Sequence, residues 1–452
     1  MVSAANGIKT AAVHNRAFTS LVADLRLDRV MIRIPATLTC PFMSTPIERP
    51  TERPPPPGKV LSDFGPLYAS SGFIGWLFAV TAPVAIILAV GSGSGLSEGE
   101  IASWIFGVFF INGLITILFS WLYRQPLAFF WTIPGTVLVG QSLTHLTFHQ
   151  VIGAYFATSV LMLVLGATGS VKRTMELVPL PIVMGMVAGV FLRFGLDLVH
   201  AVFNDIAIAG PMVAIWLLLS ALPLLGRRCP PIIGALVVGA LATIALGRFA
   251  GSAPLQLELI RPVLQEPTWS LAAMIELVVP LAITVLVVQN GQGIAVLKTA
   301  GHEPPVNAVA VACGIGSAIS ALVGSVSTCL TGPTNAILVS SGERKRQYVA
   351  GIVVGILAIA FGLLAPTFTR LLLNAPKSLI ATLAGLAMLR VLQTAFVTAF
   401  GSRFSLGALV AFLVTVADRP LLNVGAAFWG LVCGLVISLL MERTDFSVKP
   451  KS

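Results

Sequence analysis

Three short polar stretches hold most of the chemistry available to this chain, and each is set in apolar sequence. The first is the amide-rich run Gln289-Asn290-Gly291-Gln292-Gly293. The other two place proline beside small polar residues: Trp131-Thr132-Ile133-Pro134-Gly135-Thr136 and Thr331-Gly332-Pro333-Thr334-Asn335. An unpartnered amide in hydrocarbon is costly, so these side chains must meet partners or water. Taken alone, the amides could equally bond neighbouring helices. Beside a second polar segment, a substrate site is favoured. Gly291 and Gly293 would let a ligand or another helix approach the backbone. Pro134, Gly135, Gly332 and Pro333 do not suit a continuous helix, and irregular backbone at membrane depth survives only inside protein or around a wet cavity. Two half-helices are expected, each preceded by an extended stretch and meeting near the midplane. Their amino termini would aim at one point and favour an anion without a buried arginine.

The remaining ionisable residues are few. Glu276 precedes Asn290 by 14 residues, about 20 Å along a helix, near the outer interface. It is either a cap or ion-pair partner, or a group that helps a proton enter, and it is the one candidate for proton coupling. Asp197, Asp205 and Asp418 are expected at solvated segment ends. Arg193 and Arg390 either attract anions or snorkel to the interface. His145, His149 and His200 are expected in outer loops, without a metal pattern. Trp131 either stacks on an aromatic ring or anchors at an interface. The five cysteines, Cys40, Cys229, Cys313, Cys329 and Cys433, form no CxxC pair, which argues against a disulfide framework or a zinc site. No nucleophile–base pair suggests an enzyme, and no cofactor or metal is expected.

The elements that must position these residues follow from composition. Of 452 residues, 56% are hydrophobic and 10% charged, with a mean hydropathy of +0.93. A soluble chain has about 25% charged residues, so a cytosolic enzyme and a nucleic-acid module are excluded. The net charge of +10 sits at segment ends, where it signals topology. The sequence reads as an all-α polytopic membrane protein with fourteen segments, near 70–91, 101–123, 129–144, 149–170, 174–195, 206–225, 231–249, 271–296, 305–324, 329–342, 347–369, 376–397, 404–417 and 422–441. With fourteen crossings and a cytoplasmic amino terminus, Arg124, Lys172–Arg173, Arg227–Arg228, Lys298, Arg344–Arg346 and Arg403 all fall inside, as the positive-inside rule requires. Residues 1–65 hold eight basic residues and the run RPTERPPPPGKV, a polyproline-like linker. They read as a flexible cytoplasmic tail, or as translation assigned too far upstream, with Met43 the start.

The halves echo each other at an offset of 197 to 199 residues. Thr132, Pro134 and Thr136 face Thr331, Pro333 and Asn335; Pro83 before GSGSG faces Pro280 before QNGQG; VPLPIVMGMVAGVFLR ending at Arg193 faces APKSLIATLAGLAMLR ending at Arg390. Seven segments per half is odd, so the second half enters upside down, the inverted-repeat design of secondary transporters. The expected organisation is a first repeat over 66–250, an extracytoplasmic linker over 251–268, a second repeat over 269–441 and a cytoplasmic tail over 442–452.

QNGQGIAVLKTAGHEPP (289–305), STCLTGPTNAIL (327–338), WTIPGTVLVG (131–140), PLPIVMGMVAGVFLRFG (179–195) and ASWIFGVFF (102–110) together resemble the benzoate/proton symporter (BenE) family, within a wider group that includes uracil permease and sulfate-transporter relatives. The resemblance runs from about Ser70 to Met441. It implies a core of segments 1–4 and 8–11, a gate of segments 5–7 and 12–14, and a site between segments 1, 3, 8 and 10. It also implies a small aromatic carboxylate and a proton as partners, an inner or plasma membrane location, and relatives that are often homodimers. Two positions depart from the family pattern: Gln292 stands where proline is common, and Thr334 where a glutamate is common. The second departure removes the obvious protonatable group beside the substrate. Proton coupling is therefore implied by the resemblance alone. The architecture would also suit a nucleobase, another small organic acid, or an uncoupled uniporter or channel.

Overall fold

A computed structural model describes residues 47–171, 173, 179–222, 230–248, 257–340, 342–401, 403–419, 421 and 424–447. The expectations for residues 1–46, Lys172, Arg227–Cys229, the start of the 251–268 linker and residues 448–452 lie outside them. The first half contains α1 (Pro57–Asp63), α2 (Pro66–Gly93), α3 (Glu98–Tyr123), β1 (Phe129–Trp131), α4 (Ile133–Ser142), α5 (Phe148–Ala167), α6 (Leu180–Asn204), α7 (Ile206–Ala221) and α8 (Pro231–Ala245). The second contains α9 (Leu271–Thr299), α10 (Val306–Ala321), β2 (Thr328–Leu330), α11 (Gly332–Leu338), α12 (Tyr348–Leu363), α13 (Ala365–Leu373), α14 (Lys377–Phe400), α15 (Ser405–Ala417), α16 (Ala426–Met441) and α17 (Arg443–Ser447).

Local sequence explains where these helices begin. Proline stands in the first turn of α2, α4, α6, α8, α11 and α13, where its missing N–H costs nothing. Capping boxes start α3 (Ser97 with Glu100) and α5 (Thr147 with Gln150). Seven helices, α2, α3, α5, α6, α9, α14 and the one ending at Leu363, are long and apolar enough to cross a membrane. Five shorter apolar helices and the half-helices α4 and α11 complete fourteen segments.

The inverted repeat is visible in the packing. The α3–α12 contact has its counterpart in α10–α5, and α7–α8 in α15–α16, while α6–α14 is its own counterpart. So is the β1–β2 pair, which is antiparallel with Phe130 opposite Cys329. Small residues allow these approaches. A Cβ on Gly113 would lie 2.8 Å from the Gly355 carbonyl oxygen, and one on Gly355 would lie 2.7 Å from that of Gly113. Helices α2, α3, α5, α9, α10 and α12 gather around the two strands as the core. The gate comprises α6, α7, α8, α14, α15 and α16.

Three expectations are corrected. The fifth segment does not end near 195: α6 runs to Asn204, so Asp197 and His200 lie within a helix. The helix runs on through Gly195, and Arg193 and His200 lie on exposed positions, which lets polar side chains stay in a helix. The eleventh segment ends at Leu363, and Pro366 opens the separate helix α13. Residues 47–64 do not hang free. Trp121 Nε1 donates to the Pro55 carbonyl (2.8 Å), and Glu48 accepts from the backbone N–H groups of Asn307 and Ala308 at the start of α10. Asp63 accepts from the Tyr348 hydroxyl at 2.9 Å. On the opposite face, residues 257–270 lace over the helix ends: Val263 N–H donates to Ser103 Oγ and Gln265 N–H to the Leu322 carbonyl.

Candidate functional site

The site is built on the two broken segments. Thr132 N–H donates to the Ser327 carbonyl, and Thr331 N–H to that of Ala128, extending the ladder at both ends. Thr132 and Thr331 are the N-caps of α4 and α11. The register leaves them four residues apart along the ladder, about 13 Å. Thr132 caps its own helix, its Oγ1 accepting from Gly135 N–H at 3.1 Å and donating to Thr284 Oγ1. Thr136 Oγ1 returns its proton to the Thr132 carbonyl. Thr331 makes no such side-chain cap.

Buried asparagines hold the strands in place. Asn290 Oδ1 accepts from Leu330 N–H at 2.7 Å, and its Nδ2 reaches Cys313 Sγ. Asn335 Oδ1 accepts from Ala128 N–H, while its Nδ2 donates to the Thr331 carbonyl. Asn112 Oδ1 accepts from Thr328 Oγ1. Each amide satisfies a backbone or hydroxyl group that would otherwise be orphaned. Asn290 and Asn335 therefore position the strands, whereas the sequence suggested that they meet substrate. Gly293 serves the same end: a Cβ there would sit 2.8 Å from the Leu330 carbonyl oxygen. Gly291, two residues earlier and next to Asn290, is half-buried.

A narrow cleft of about 10 Å³, room for about one water, opens between α2 and the strand–helix junctions. Phe78, Ala79 and Pro83 line one side, and Phe130, Trp131, Ile133, Thr331 and Thr334 the other. Of the residues expected at the site, this cleft gathers Trp131, Thr331 and Thr334. Thr132, Pro134, Gly135, Thr136, Gly332, Asn290 and Asn335 are buried around it as support, and Pro333 is half-buried at the head of α11. Trp131 is buried, with its ring edge-on to Phe109 at 5.3 Å, and its indole N–H finds no acceptor among the described residues. Gln289 is 5% exposed, and its side-chain amide makes no hydrogen bond to another described residue. It is the next-to-last residue of the π-helical stretch Thr284–Asn290, which packs on β2 and α4. Such stretches are frequent at functional sites. Gln292 lies over Gly332, where a Cβ would meet its Oε1 at 2.6 Å.

Glu276 sits elsewhere, in a second π-helical stretch of α9, Met274–Val278. It is 1% exposed, bonded to Ser142 Oγ and 2.9 Å from His145 Nε2. Among the described residues, no three His, Cys, Asp or Glu side chains gather as metal ligands do.

Sequence reasoning missed Phe78, Ala79, Phe130 and Asn112. The signal for Asn112 was present, as an asparagine deep in the apolar run of α3. Phe78 and Ala79 gave none, because an apolar residue facing a cleft looks like one facing lipid.

A helical inverted repeat with crossed broken segments and a small cleft beside them defines a membrane transporter of the core-and-gate type. The transmembrane domain of the cyanobacterial bicarbonate transporter BicA has the same fold, with a TM-score of 0.57 at 17% identity over 81% of this chain and 97% of that one. SLC26A9 aligns with a TM-score of 0.58 at 14% identity over 82% of this chain and 64% of its own. In sequence, the chain is 29% identical to the inner membrane protein YdcO of Escherichia coli (strain K12) over 384 residues, 83% of this chain and 97% of that protein. It is 26% identical over 389 residues to the benzoate membrane transport protein of Acinetobacter baylyi, covering 84% and 95%. The BenE family model, described as benzoate membrane transport protein, matches residues 62–440, and the chain belongs to that family.

Proposed function

We propose that this protein carries a small aromatic carboxylate, of which benzoate is the best fit, into the cell together with a proton. The observation that bears most weight is the cleft, where aromatic rings and hydroxyls meet beside an indole N–H that lacks an acceptor. An aromatic ring packs edge-on or offset against such walls. A carboxylate supplies the acceptor that Trp131 lacks, and the unbonded amide of Gln289, which lies outside the cleft lining, turns toward it when substrate enters. The uncapped Thr331 and the hydroxyl of Thr334 complete the polar side. No arginine or lysine lines the cleft, so a bound anion keeps its charge. Moving that charge inward against an inside-negative potential costs about 2.3 kcal/mol per 100 mV, and one accompanying proton cancels it. Core moves against gate, as the repeat symmetry suggests. Both termini are cytoplasmic in this reading, with Arg124, Lys298 and Arg344–Arg346 on the inner face.

The neutral lining also supports a second reading, a nucleobase or another small organic acid on the same cleft. Radiolabelled benzoate uptake into proteoliposomes, with and without an inward-acid gradient, tests the first. Stimulation by the gradient, and competition by benzoate analogues but not by uracil, is the expected result. Competition by uracil favours the second reading, and uptake indifferent to pH favours a uniporter.

A further inference from the structure

Glu276 is the most deeply buried carboxylate among the described residues, yet it does not line the cleft. It joins two bodies that must move apart. From the core, Ser142 at the end of α4 donates to it and His145 pairs with it at 2.9 Å. From the gate, Gly425 covers it so closely that a Cβ would lie 2.5 Å from Glu276 Oε1. Gly425 is the N-cap of the sixteen-residue helix α16, which has no side-chain cap of its own. We propose that Glu276 and His145 form a proton-operated clasp between core and gate on the outer face. The clasp is closed while the carboxylate is charged and released when it takes up a proton. The proposal rests on the reading of this chain as a proton-coupled carrier and supplies the ionisable group that the cleft lacks.

The physical case has two parts. A buried carboxylate needs a compensating partner, and His145 provides one. A negative charge at an uncapped helix start is favourable, so the charged form attracts α16 and the neutral form loses that attraction. The charged and titratable groups around the pair do not replace it. Asp418 at the end of α15 lines the same small cavity of about 40 Å³, with Arg419 exposed beside it. On α5, His149 is held by the Glu266 carbonyl at 2.9 Å. Arg193 and Asp197 of α6 line the adjoining cleft, which shares Gln141 and Thr144 with this cavity. Neither α4 nor α16 brings another charge to the cavity.

Cysteines at Thr144 and Phe428, which face each other across this cavity, report the clasp in the full-length protein. An impermeant bifunctional maleimide is applied to sealed vesicles from about pH 8 to about pH 4, a range that reaches the ordinary glutamate value of about 4.3. Each yield is taken relative to that of a reference cysteine pair within the core at the same pH, because only the thiolate reacts. The expected cross-linking yield is high at the alkaline end and several-fold lower at the acid end. Glu276→Gln should give the low yield throughout. His145→Gln, on a connecting segment, should fold and move the midpoint, because it replaces the ring 2.9 Å from the carboxylate. A parental yield that ignores pH, or a Glu276→Gln protein with the parental profile, overturns the clasp. If the glutamine variant does not fold, an unmoved midpoint in His145→Gln overturns it equally. Cross-linking needs no substrate, so a pH-dependent yield without benzoate uptake keeps the clasp and sinks the substrate assignment. Proton-coupled uptake with a flat yield does the reverse.

Discussion

Gln289 and Asn290 are adjacent amides with opposite duties, and replacing each by leucine separates those duties. In Asn290→Leu, the Leu330 N–H loses its acceptor at 2.7 Å in a strand shielded from water. A buried donor left unpaired costs about 1–3 kcal/mol. The contact from Nδ2 to Cys313 Sγ, at 3.5 Å, is weak and adds little. In Gln289→Leu nothing within the chain is left unpaired, and an amide without a partner is exchanged for an apolar side chain, so stability should hold or rise by up to about 2 kcal/mol. Binding reverses the order. Loss of one hydrogen bond to a charged ligand costs about 1.5–3 kcal/mol, so Gln289→Leu should weaken benzoate roughly tenfold to a hundredfold. Thermal unfolding in detergent and equilibrium binding of labelled benzoate, on the same preparations, read both quantities. The reasoning fails if Asn290→Leu is as stable as the parent, or if Gln289→Leu binds normally.

Two further outcomes are expected. Gly355→Ala places a methyl group 2.7 Å from the Gly113 carbonyl oxygen, a backbone atom that cannot step aside. It should destabilise the α3–α12 contact by about 1–3 kcal/mol, lowering the unfolding temperature, whereas Gly58→Ala, with open space around it, should not. On the loop between α9 and α10, burial depresses the basicity of His302; Gln347 works against this through a hydrogen bond, and the charge of Arg344 adds to it. The folded state therefore prefers the neutral ring. Its contribution is fully present above the ordinary histidine value of about 6.5 and is lost as pH falls through the lower folded value. His302→Gln should flatten this part of the stability profile measured by thermal unfolding.

Much of this architecture could be read from the residues because hydrocarbon is a strict solvent. Fourteen apolar runs, basic residues at their ends and Pro134–Pro333 at matching offsets led to the inverted repeat and its broken segments. What stayed hidden depends on partners distant in sequence. Asn290 and Asn335 looked like ligands for a solute because a sequence shows that an amide is buried but not what satisfies it. The burial of Glu276 comes from Gly425, and nothing near either residue announces the other. The cleft wall at Phe78 and Ala79 was missed for a related reason, since helix α2 is apolar on every side. The length of α6 was misjudged because Arg193 and Asp197 imitate a helix end.

The most direct measurement is a structure with 4-iodobenzoate bound, with the iodine located by anomalous scattering. The expected peak lies within about 4 Å, the range of packing contact, of Phe78 or Phe130, with the carboxylate toward Trp131, Thr331 and Thr334. A peak only in the apolar cavity between α2, α8 and α14, or beside Arg193 in the outer cleft, with nothing between α2 and the strands, would contradict the assigned site.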